Sequence, residues 1–243
     1  MLRPLHVALS FLTTLPLPSV TAWREDDARR SVRAYPLVGL LLGALWTGMW
    51  WGLGAFPEPL RGALLLGASL LLTGALHLDG FCDTADAAFA SRSPGERQRI
   101  AQDPHLGVFA LAAGGTLLLV KAAAFGGLDE PAPLLLVPLL SRTLVVLPLA
   151  LGRVHGSSRL GQSAHLRPAE APFPLLLGLG LGIGVALVTA TWTALAGLTL
   201  AALLTVLPLA WWLAGRLDGL GGDAYGATIE TSEAVMLTLA VIL

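Results

Sequence analysis

Eight apolar stretches alternate with short polar connections along the chain, near residues 4–18, 34–56, 62–79, 105–126, 132–151, 172–190, 195–214 and 227–243. Three of them lie in two fully uncharged runs, 24 residues at 34–57 and 45 residues at 171–215. A helix needs roughly 20 apolar residues to cross a bilayer, so the longer run holds two spans. One such stretch could be a buried core helix, but a series separated by arginine-bearing loops predicts an all-α, polytopic membrane helix bundle. About seven to eight membrane segments are expected, in one domain over residues 1–243. The first stretch is short and carries Pro16 and Pro18, which suits an interfacial or re-entrant helix as well as a span. Its lone Arg3 and the lack of a small-residue cleavage pattern argue against a removed signal peptide.

Composition agrees: 55% of residues are hydrophobic and 13% charged, with a mean hydropathy of +0.73, outside the usual range of soluble domains. The arginines fall in every second loop, four at 19–33, three at 80–104, three at 152–171 (Arg153, Arg159 and Arg167) and Arg216, whereas the intervening loops offer only Arg61. The positive-inside rule places the basic loops in the cytoplasm, which makes this an inner-membrane protein. Most acidic residues lie in or beside the same loops, a bias the rule does not require, so any chemistry is expected to face the cytoplasm. The single cysteine, Cys82, excludes an intramolecular disulfide. The expected surroundings are the lipid bilayer, with no nucleic-acid partner.

The densest chemistry is "HLDGFCDTAD", residues 77–86. On a helix continuing from the preceding span, Asp83 and Asp86 sit about 40° and −20° from Asp79, so three carboxylates share one face. Like charges at a bilayer edge repel unless a cation lies among them. Oxygen ligands without thiolates suit Mg²⁺, or Mn²⁺, shared with substrate phosphates. In "SRSPGERQRIAQDPHLG", Ser93 and Glu96 form a capping box that predicts a short helix from Pro94 to Gln102. Asp103 can cap the next span or join the cluster as a fourth ligand, with Arg92, Arg97 and Arg99 nearby to meet phosphates.

Taken together, "TGALHLDGFCDTADAAFASRSPGERQRIAQDPHLG", "YPLVGLLLG" from Tyr35, Ser141-Arg142 inside a span and "GGDAYGATIETSE" from Gly221 resemble, in the right order, the cobalamin synthases, that is, the adenosylcobinamide-GDP ribazoletransferases. Two positions depart from the pattern. Pro104-His105 stands where a serine and a basic residue are expected, and Gly221-Gly222 where Thr-Gly is expected. The resemblance implies transfer of α-ribazole or its 5′-phosphate onto adenosylcobinamide-GDP, with release of GMP and formation of adenosylcobalamin or its phosphate. Such a phosphoryl displacement needs positioning and charge neutralisation more than covalent help. Asp79, Asp83 and Asp86 are then the metal ligands, and Asp103 a fourth ligand or the general base, with His77 as rival base. On an ideal helix His77 faces roughly 160° from Asp79, which also suits a histidine hydrogen-bonded inside the bundle.

A second acidic group, Asp223, Glu230 and Glu233, could hold another metal or grip a substrate hydroxyl or amide. Glu230 alone also suits a helix start. Arg142 sits mid-span and is expected to pair with one of these carboxylates or with a substrate phosphate. Lys121, nearer a span end, is expected to snorkel. Two alternatives remain from the residues themselves. A Mg²⁺-dependent CDP-alcohol phosphotransferase shares the spaced aspartates, although Asp79-Gly80 lacks the Ala-Arg that should follow. A transporter would line its pathway with Arg142 and Glu233, although no inverted repeat is evident.

Overall fold

The computed structural model describes residues 2–153 and 163–242; Arg159 lies outside the described residues. The described chain is helical: α1 (Leu2–Leu12), α2 (Asp27–Ser31) passing through a 3-10 turn into α3 (Tyr35–Gly52), α4 (Glu58–Thr73), α5 (Leu76–Phe89), α6 (Pro94–Ile100), α7 (Val108–Gly126), α8 (Ala132–Leu144), α9 (Val146–Leu151), α10 (Pro172–Thr189), α11 (Trp192–Arg216) and α12 (Gly222–Ala240). Five stretches are long and apolar enough to cross a membrane: Asp27–Gly52, Val108–Gly126, Ala132–Leu151, Pro168–Thr189 and Trp192–Arg216. The pair α4 and α5 makes a sixth if a bent pair counts as one span. The multi-pass helical bundle is therefore as expected, with fewer spans. With 11 residues, α1 is only about 17 Å long, and α12 carries Asp223, Glu230 and Glu233.

The expected span at 62–79 is not continuous. It stops at Thr73, and α5 leaves at 93° to α4. Gly74 and Ala75 make the turn, both in the left-handed region at φ 61° and 53°. A break at membrane depth must satisfy its freed carbonyls from elsewhere in the protein. Thr14, just beyond α1, does this: its hydroxyl donates to Leu71 O at 2.6 Å and its backbone N–H to Leu72 O at 2.8 Å.

Every residue of α8 except Leu135 is buried, including its polar Ser141, Arg142 and Thr143. On α3, Gly39 faces the Pro138 carbonyl, and a Cβ on Gly43 would lie 2.8 Å from Leu134 O, so the two backbones pack through a small-residue face. Gly62 of α4 meets Ala122 and Gly126 of α7 in the same way. The other flank is closed by α12, which packs on α5, α7, α8 and α11.

The alternate basic loops meet at one end of the bundle. Glu170 pairs with Arg29 and Arg33 at 3.3 and 3.4 Å. Arg153 pairs with Asp218 at 3.3 Å. From α6, Gln98 donates to Leu217 O at 2.9 Å and Arg97 to Arg216 O at 3.1 Å.

Candidate active site

Two glycines bring α5 and α12 into backbone contact. A Cβ on Gly80 would sit 2.7 Å from Asp223 Cα, and one on Gly226 3.3 Å from His77 Cα. This crossing joins what the sequence separates: Asp223 stands beside Asp79 and Asp83, close enough for their charges to act on one another. Asp79 and Asp223 are exposed and Asp83 is half-buried. Among the described residues none of the three has a hydrogen-bond or ion-pair partner. Gly80→Ala would force α12 off α5, because the obstacle is backbone. A displacement near 1 Å can lower turnover about a hundredfold, so we expect that loss in kcat/KM from a bundle that still folds, checked by steady-state kinetics beside a thermal melt in detergent.

The remaining aspartates are engaged elsewhere. Asp86 accepts hydrogen bonds from the backbone N–H groups of Gly107 at 2.7 Å and Ala110 at 2.9 Å, and so caps α7. Asp103, expected as that cap, instead accepts the His105 N–H at 3.0 Å and meets its ring Nδ1 at 2.7 Å. These bonds, the backbone one foremost, hold the exposed Asp103 carboxyl below its usual range, which weakens it as a base. It is not among the charges acting on Asp83 or Asp223. Because α5 runs unbroken through Gly80, His77 faces the bundle interior, where its Nδ1 lies 3.4 Å from Arg142 Nη2.

The capping box of α6 forms as expected, with the helix ending at Ile100 rather than Gln102. Its arginines divide. Arg97 is buried and donates to Ala90 O and Arg216 O, so it ties helix ends together instead of facing solvent. Arg92 and Arg99 stay exposed. In the membrane interior Arg142 pairs with Glu233, and Lys121 bonds Glu230 at 2.7 Å and Glu233 at 2.8 Å. Lys121 is 1% exposed; it does not snorkel, because two carboxylates within the bundle compensate its charge. Glu230 and Glu233 are thus counter-ions within the bundle and lie apart from exposed Asp223, with which they were grouped.

As a cation site, the carboxylate group has a suitable donor set: hard oxygens, unpaired, open to solvent and mutually repulsive. Among the described residues no three His, Cys, Asp or Glu side chains converge as a complete cage. Mg²⁺ does not need one, since it is ordinarily held by one or two carboxylates, waters and substrate phosphates. Asp79 and Asp83, one helical turn apart, fit that mode.

These features define a multi-pass membrane protein with an acidic site where α5 crosses α12. The chain belongs to the cobalamin-5-phosphate synthase family, whose model it matches over residues 4–241. It is similar to proteins named adenosylcobinamide-GDP ribazoletransferase from Desulfitobacterium hafniense (34% identical, over 97% of this chain and 95% of that one) and Deinococcus radiodurans (38%, over 97% and 84%). A third, from Pseudomonas putida, is 39% identical over 98% of each chain. No solved structure matches.

Proposed function

We propose that the protein transfers α-ribazole, or its 5′-phosphate, onto adenosylcobinamide-GDP, releasing GMP and forming adenosylcobalamin or its phosphate. The observation that carries this reading is the open, unpartnered carboxylate group of Asp79, Asp83 and Asp223 in a chain of this family. It stands at a helix crossing held by Gly80 and near the arginine-bearing loops, since Arg97 and Arg216 both grip the end of α5. By the positive-inside rule that end faces the cytoplasm, with the bundle in the inner membrane.

In this reading Asp79 and Asp83 would hold a divalent cation, Mg²⁺ or Mn²⁺. When bound, such an ion neutralises diphosphate oxygens and the charge developing on the departing GMP. The ribazole hydroxyl oxygen forms the new bond to the phosphorus nearer cobinamide, and the bond from that phosphorus to the GMP oxygen breaks. Asp223, across the crossing from the metal-holding pair, receives the hydroxyl proton. Exposed Arg92 and Arg99 meet the incoming phosphates, while Asp86, Arg97, Glu230 and Glu233 act by holding helices in place.

The test is reconstitution of the purified protein in detergent with adenosylcobinamide-GDP, α-ribazole and Mg²⁺. GMP and a cobamide product are expected, both lost on adding EDTA. Consumption of CDP-diacylglycerol with no GMP formed would point instead to a phospholipid phosphotransferase.

A further inference from the structure

Behind Asp223 a cavity of about 70 Å³ opens between α1, α3, α5, α9 and α12. Its walls are mostly apolar, including Phe11, Leu12, Val145, Leu149 and Ile229. Two tyrosines line it, and they differ. Tyr35 hydrogen-bonds Ser31. Tyr225 is 7% exposed, and among the described residues its buried hydroxyl has no hydrogen-bond partner. An unpaired buried hydroxyl costs about 1–3 kcal/mol, and of the buried unpaired side-chain atoms among the described residues this one is on a residue that lines the cavity. With one position for a water needing roughly 10–15 Å³, the cavity admits the edge of a ring and not a corrinoid.

Resting on the function proposed above, we propose that this cavity receives the aromatic base of the nucleoside substrate, with the Tyr225 hydroxyl donating to the base's unsubstituted ring nitrogen. The match is chemical. The fused base of α-ribazole is apolar except for that single acceptor, and the cavity offers mostly apolar walls, with His77 and Asp223 also on its lining and, among its described lining residues, one unmatched polar group, the Tyr225 hydroxyl. A phosphate, a ribose, a guanine or the amides of a corrinoid would each bury several polar groups there without partners. With the base seated behind it, Asp223 at the cavity rim stands beside the ribose and its attacking hydroxyl.

Tyr225→Phe tests this by kinetics with α-ribazole and with an analogue whose ring nitrogen is replaced by CH. The wild type should favour α-ribazole by about tenfold in kcat/KM, the worth of one such bond. Tyr225→Phe should abolish that preference, raise KM for α-ribazole and leave KM for adenosylcobinamide-GDP unchanged. Its melting temperature should hold or rise, since an unpaired hydroxyl is removed. An active wild type indifferent to the nitrogen, or a Tyr225→Phe that keeps the preference, overturns the assignment alone. A variant that fails to fold leaves the wild-type comparison to decide. A wild type that forms no GMP overturns the functional reading, and this assignment with it.

Discussion

Asp83→Asn should lower kcat/KM about a thousandfold without loosening the bundle. The size follows from what removing one preorganised charge-stabilising group takes from a reaction that runs on electrostatics, about 10²–10³ in rate. Retention of the fold follows from the surroundings: among the described residues Asp83 has no partner to lose, and its charge sits among those of Asp79, Asp223 and Asp86. Asparagine keeps the shape and removes repulsion, so the melting temperature should stay level or rise. Asp86→Ala should behave in the opposite sense. Its carboxylate caps α7 through Gly107 and Ala110, and loss of a cap costs about 1 kcal/mol, so stability should fall further than activity. Paired kinetics and thermal melts on both variants decide the matter. If Asp83→Asn turned over at near wild-type rate, the carboxylate group would not be the reaction centre.

That contrast marks where sequence reasoning reaches and where it stops. Periodicity puts Asp79, Asp83 and Asp86 on one helical face, and they are on one face. It cannot say that the face meets the N–H groups of α7 at one end and Asp223 at the other, because Asp223 lies 140 positions beyond Asp83. Two glycines carry the missing information. Gly80 and Gly226 allow the crossing, yet in a chain with 28 glycines nothing marks these two in advance. The bend at Gly74 and Ala75 was hidden for a related reason: an alanine in the left-handed region is a choice made by packing, not by propensity. Arg142 was easier, since a mid-span cation with no route to water demands a buried anion. Lys121 misled because its reach toward the span end suggested an escape that the structure does not use.

The buried charges around Lys121 carry the largest expected effect on stability. Glu233 faces Lys121, Arg142 and the Ser141 hydroxyl at once, and it is 1% exposed. Glu233→Ala leaves two cations with Glu230 as the one counter-charge among the described residues, and breaking a buried pair on one side costs about 3–5 kcal/mol. Such a loss should collapse the detergent melt and the yield of folded protein together. Charge balance, rather than any single contact, is the property at stake. Lys121→Met and Glu230→Gln should each destabilise, whereas the double variant, which removes one charge of each sign, should be less damaged than the sum of the two, since replacing a buried pair by neutral groups is often tolerated. Additive losses in the double variant, or an unchanged melt for Glu233→Ala, would show that these groups are not coupled. Because Arg142 also approaches His77 on α5 at 3.4 Å, partial loosening should reach the active site as lower turnover before the bundle unfolds. Gly80→Ala should lower turnover far more than its modest loss of melting temperature, from a bundle that still folds, whereas loosening through Glu233 should lower both steeply.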